Sequence, residues 1–117
     1  MCIRDREKDY SYKENIIWFA EKQIIFHEKI AELIEFEKCI IIRNKYTNEN
    51  PTNNLVAYDY CANKIWEVDD IIKPLAPQTI VSIGKRDCRH VSIITFTGLN
   101  LLIEADSGRI VEKKIAK

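Results

Sequence analysis

Turn-forming residues recur along this chain too often for helices of ordinary length, and short runs of β-branched and aromatic side chains lie between them. From Leu33 onward the runs are CIIIR, LVAYDY, KIWEV, TIVSIG, HVSIITF, NLLIEA and RIVEKKI, each bounded by Asn, Pro, Gly or Asp. Several alternate with a period of two. In HVSIITF, Val91, Ile93 and Thr95 point one way and His90, Ser92, Ile94 and Phe96 the other; in LVAYDY, Leu55, Ala57 and Asp59 oppose Val56, Tyr58 and Tyr60. That period requires a sheet with at least one buried face. The glycines of TGLN (97–100) and DSGR (106–109) supply the positive φ of hairpin connections, so consecutive strands are expected to be antiparallel neighbours.

The expected fold class is therefore mainly β: a single antiparallel meander of about 7–10 short strands, in an open or partly rolled sheet. Residues 14–36, ENIIWFAEKQIIFHEKIAELIEF, admit two readings. Ile17, Ala20, Ile24, Ala31 and Ile34 fit a helical stripe, whereas NIIWF, a turn at AEK, QIIF and IAELIEF read as a hairpin and a third strand. We expect strands, with a short N-terminal helix as the alternative. The twenty Ile among 117 residues favour that choice, since β-branched side chains lose less rotamer freedom on a pleated surface.

Eighteen basic and eighteen acidic residues cancel, so no global field draws the chain toward nucleic acid or an anionic membrane. No apolar run reaches the roughly 18 residues of a membrane span, and no secretory leader is evident. Cys2, Cys39, Cys61 and Cys88 are irregularly spaced without a CxxC pair, which reads as reduced thiols in a cytoplasm. Neither nucleic acid nor membrane is expected as a partner.

The stretches 54–68 and 99–113 follow one plan. Each is an apolar strand ending in Asp, a turn, a basic residue, an apolar pair and Glu: Asp59 with Lys64, Ile65, Trp66 and Glu67, then Asp106 with Arg109, Ile110, Val111 and Glu112. The interval is close to that of a propeller blade, about 40–45 residues. LVAYDYCANKIWEV resembles the strand, turn and strand of repeats in quinoprotein-type β-propellers, and IEADSGRIV resembles a second copy. The stretch from about Lys29 onward is also similar to small uncharacterised bacterial proteins with this two-hairpin pattern. The resemblance implies two blade-like hairpins but not a closed propeller, which needs about four to eight blades. No residue here matches a quinone or metal site of that family, so no cofactor is implied. On residue chemistry, Asp59 and Asp106 read as turn formers and Trp66 as core.

Cys88 and His90 have the ligand types for zinc, and in a strand they would share one face. Structural zinc sites usually show two short-spaced pairs; only this pair is present. No catalytic residue is assigned, because no GxSxG, HExxH or phosphate-cradling Gly-rich loop occurs. The loop 43–54, RNKYTNENPTNN, is polar and Asn-rich and reads as an exposed recognition tip, with Tyr46, Asn48 and Asn50 as candidate contacts. GKRDCRH (84–90) gathers Lys85, Arg86 and Arg89 at a hairpin end as a second candidate contact group.

The opening MCIRDR matches the translation of a transposase adapter used in preparing sequencing libraries (ATG TGT ATA AGA GAC AG). We read residues 1–6 as a non-native scar and 7–117 as one β-rich domain whose first strand is open to truncation. The function expected is a noncatalytic protein-interaction module, of immunity type by analogy with small cytoplasmic bacterial proteins, with another protein as partner. The alternatives are a fragment of a larger β-propeller, and a metal-binding domain or enzyme using Cys88 and His90.

Overall fold

The structure, a computed structural model, describes residues 10–20, 22–73 and 75–115. Residues 1–6, read above as a scar, lie outside the described residues. Among the described residues, eleven strands and one short helix follow in chain order: β1 (Tyr10–Lys13), β2 (Ile16–Phe19), β3 (Gln23–Ile25), β4 (Ile30–Glu35), β5 (Ile40–Asn44), β6 (Leu55–Tyr58), β7 (Lys64–Glu67), α1 (Val68–Ile71), β8 (Ile80–Lys85), β9 (His90–Thr95), β10 (Leu99–Glu104) and β11 (Ile110–Ile115). Segment 14–36 consists of strands joined by turns, as preferred above, and the helical alternative is not taken up. The described helix lies instead at 68–71, where KIWEV had been expected to continue as strand through Val68.

The mainly β, antiparallel and unclosed architecture is as the sequence predicts. The single expected sheet is, however, divided into three meanders. Sheet A has the order β1-β2-β3, sheet B β4-β5-β6-β7 and sheet C β11-β10-β9-β8. The division follows from packing. Ile40, Ile41 and Ile42 are consecutive in β5 and all fully buried, so both faces of sheet B must be covered. Ile40 and Ile42 join Ile17 and Phe19 of sheet A in one apolar cluster. Ile41 joins Val91, Ile93 and Leu101 of sheet C in another. Sheet B is thus the middle layer.

Polar side chains fasten the layers at chosen points. Buried Asn54 donates to the carbonyls of Asn44 (2.8 Å) and Ile80 (2.9 Å) and accepts the Ile80 N–H (2.9 Å), tying the end of β5 to the start of β8. Trp66 is core, as read from its position. Its indole N–H donates to the Ala105 carbonyl at 2.9 Å, so the ring spans from sheet B to the β10–β11 turn. Gly108 in that turn has φ +78°, and a Cβ there would lie 2.7 Å from Ile71 Cγ2 and 2.8 Å from Trp66 Cγ. Positive φ and close approach both demand glycine. Gly108→Ala is expected to destabilise the domain by about 2–4 kcal/mol, read as a lower urea midpoint with an unchanged slope.

Candidate binding site

Sheet A has three strands and sheet B four, and near one end of sheet B its A-facing surface opens into a cavity of about 310 Å³. Val56 and Tyr58 of β6, with Phe26 from the β3–β4 connection, supply its apolar surface. Phe26 and Tyr58 meet edge to face at 6.2 Å. Lys64 and Glu67 of β7 stand at its side, joined by a 2.9 Å ion pair. Their register places them there: Tyr58 pairs with Lys64 and Val56 with Glu67, so these side chains share a sheet face.

The Asn-rich loop, now residues 45–54 because β5 extends through Asn44, forms the remaining wall. Thr47 Oγ1 and Asn50 Nδ2 both donate to Glu28 Oε2, at 3.0 and 2.8 Å, which fastens the loop to the β3–β4 connection. Asn44 Nδ2 donates to the Glu28 carbonyl at 3.1 Å. Asn53 adopts φ +56°, which asparagine tolerates better than most residues, and its Oδ1 accepts the Asp69 N–H at 3.1 Å. The loop is a braced wall.

Charge inside the site is balanced locally. The hydrogen bond from Lys64 holds the Glu67 carboxyl below its ordinary value and raises the Lys64 ammonium above its own. Burial raises the Tyr58 phenol, with Glu67 adding to the effect and Lys64 opposing it. Just outside, burial raises the Asp69 carboxyl, with Glu67 and then Asp70 reinforcing it, and Asp69 Oδ1 is enclosed without a hydrogen-bond partner.

A second cavity, of about 370 Å³, lies at the opposite end of sheet B, where the β4–β5, β8–β9 and β10–β11 turns converge. Lys38, Lys85, Cys88, Arg89 and Asp106 are among the residues lining it. Lys85 is already engaged: its Nζ lies 4.9 Å over the Phe36 ring and donates to the Glu35 carbonyl at 3.2 Å. The six expected contact residues therefore fall in two places. Asn50 lines the first cavity, Lys85 and Arg89 the second, and Tyr46, Asn48 and Arg86 are exposed outside both linings.

The shared face expected of Cys88 and His90 is not formed. Strand β9 begins only at His90, because Asp87 Oδ1 accepts the N–H groups of Arg89 (2.8 Å) and His90 (2.9 Å) and holds 87–89 as a bend. His90 Nδ1 also lies 2.9 Å from that carboxylate oxygen. Among the described residues no group of three His, Cys, Asp or Glu is placed to hold a metal ion. Asp59 is the turn former expected of it, accepting the N–H groups of Cys61 and Asn63 at 2.9 Å each. The expectation of reduced thiols fails at Cys61, which is disulfide-bonded, whereas Cys39 and Cys88 are free. Sequence reasoning missed the convergence of Phe26, Tyr58, Lys64 and Glu67. Only the alternation of LVAYDY, which places Val56 and Tyr58 on one face, hinted at it.

Compared with known proteins, residues 8–115 match the model of a family described as a domain of unknown function, DUF7957. No curated protein and no solved structure matches the chain.

Two outcomes follow from these environments. Burial, with Asp106 adding to it, pushes the Cys39 thiol up to about 12, whereas Cys88 is exposed. Maleimide is expected to label Cys88 in the native protein and Cys39 only after unfolding, as read by peptide mass spectrometry. Because the fold raises the Asp69 pKa, the folded state holds more proton than the unfolded one between the ordinary value of 3.8 and the raised one. Stability therefore falls as pH rises through that window. Asp69→Asn is expected to raise the urea midpoint at pH 7, and the gain should vanish as the pH drops below the ordinary value.

Proposed function

The chain belongs to the DUF7957 family, and we propose that it works as a noncatalytic protein-binding module, of the immunity type. Its contact surface is the end of sheet B bounded by loop 45–54. The observation that carries this reading is the bracing of the loop. Thr47 and Asn50 are tied to Glu28, and Asn53 to Asp69, so the loop stands as a fixed wall beside an apolar floor of Phe26, Val56 and Tyr58. A preformed wall lowers the ordering entropy that binding must overcome. Tyr46, 44% exposed on the same loop, adds an aromatic side chain of the kind that dominates protein interfaces.

A second reading has its own observation. Sheets B and C are successive four-stranded meanders packed face to face, the arrangement of neighbouring blades, which supports a place within a larger propeller. Extending the reading frame upstream in uninterrupted genomic sequence tests it: further hairpins of the same spacing favour it, and a start codon close to Lys8 removes it.

The binding reading is tested by replacing residues 46–51 with a short Gly-Ser linker, which leaves Asn44 and Asn54 in place. The wild-type domain is expected to retain a specific protein from an extract of its own cells, and the variant to lose it by about tenfold or more. Retention of nothing by the wild type, or equal retention by both, overturns the proposal.

A further inference from the structure

Sheets B and C have four edge strands, and two of them are closed to further pairing. β4 and β8 lie beside each other. Glu32 Oε1 accepts the Ile83 N–H of β8 at 3.3 Å, and Lys85 of β8 reaches the Glu35 carbonyl of β4. β11 is exposed along its length, with Glu112 and Lys114 paired at 3.7 Å between exposed Val111 and Ile115, but it lines neither cavity. β7 differs. Among the described residues it pairs with β6 alone, its two charged side chains neutralise each other, and Ile65 between them is 38% exposed.

The open edge runs directly into the first cavity, since Lys64 and Glu67 belong to both. That cavity, at about 310 Å³, lies at the small end of ligand sites, roughly 300–1,000 Å³, and has room for one large side chain. Its lining holds two carboxylates, Glu28 and Glu67, against two ammonium groups, Lys45 and Lys64. A balanced lining favours a neutral occupant over an ion, and the Phe26, Val56 and Tyr58 surface favours an apolar one.

We propose that β7 accepts an extended segment of a partner protein as a fifth strand of sheet B. One aromatic or large aliphatic side chain of that segment fills the cavity against Phe26, Val56 and Tyr58. Main-chain hydrogen bonds along β7 supply the affinity. The period of two, which sends alternate side chains to opposite faces, selects a segment with its large residue in register with the cavity. This inference rests on the protein-binding reading and specifies how the partner is held.

The test uses the peptide acetyl-Thr-Val-Phe-Val-Thr-amide, titrated into the isotopically labelled full chain. Amide shifts are expected at residues 64–67, Asn50 and Tyr58, with slower hydrogen exchange in β7. Replacing the peptide's Phe by Ala should weaken binding about tenfold. Of two peptides N-methylated on alternate residues, one should fail to bind and the other should bind normally, because an added strand bonds the edge through every second residue. These controls alter the probe and leave the protein's fold untouched. No response at millimolar peptide, shifts centred on β11, or equal tolerance of both N-methylated peptides overturns strand addition. If that happens while the loop 46–51 variant still loses its captured partner, the strand inference fails and the protein-binding reading stands.

Discussion

A sheet whose strand β5 is buried on both faces is the constraint from which the rest of this molecule follows. β5 contributes three consecutive isoleucines to the interior, and sequential strand residues point to opposite faces, so Ile41 and its neighbours Ile40 and Ile42 cannot share one core. Each fully buried side chain of this size is worth about 1.5–3 kcal/mol relative to exposure. Leaving either face uncovered would forfeit at least one of them. Sheets A and C exist as separate layers because sheet B needs both. The hydrogen bonds of Asn54 to Ile80 and of Trp66 to Ala105 then fix how sheets B and C are aligned, while the Tyr60 hydroxyl, 2.6 Å from the Phe36 carbonyl, ties two turns of sheet B.

The strands were legible because turn chemistry and the period of two are local signals. HVSIITF alternates as a strand buried on one face should, and in β9 Val91, Ile93 and Thr95 are buried while His90, Ser92 and Ile94 are half-exposed. CIIIR, an unbroken apolar run, was legible as a strand, but its burial on both faces, and with it the third layer, shows only in the fold. The breaks between sheets were not legible. The two prolines of KPLAP (73–77) exclude a central strand without marking a change of sheet, residues 26–29 look in sequence like any other turn, and nothing local in VDDI shows that Asn53, from a distant loop, accepts the Asp69 N–H. The site was hidden for the same reason. Phe26, Asn50 and Lys64 meet only because β4, β5, β6 and β7 pair in order, and no periodicity reports on that.

The charged residues mostly shape turns. Arg109 and Ser107 both hydrogen-bond Glu104 across the β10–β11 hairpin, and the Arg109 bond above all pushes the Glu104 carboxyl down to about 2. Asp87 does comparable work before β9. Its carboxyl is lowered chiefly by the Arg89 N–H and then by His90. In the GKRDCRH cluster Asp87 sits at the centre, Lys85 is laid over Phe36, and Arg86 and Arg89 are exposed.

Asparagine shows most clearly how fold and binding surface share residues. The Asn-rich loop looked like a recognition tip because such residues favour exposed turns. Yet Asn54 is buried and bridges two sheets, Asn44 is buried beside it, and Asn53 holds the start of α1. What remains for contact is the wall these residues create, together with Asn50, whose amide is anchored on Glu28. The same bracing that engages Asn44, Asn53 and Asn54 in the fold leaves Asn48 exposed and stands the loop as a wall beside the cavity and β7. Among the described residues it thereby places the β7 edge next to the apolar surface of Phe26, Val56 and Tyr58.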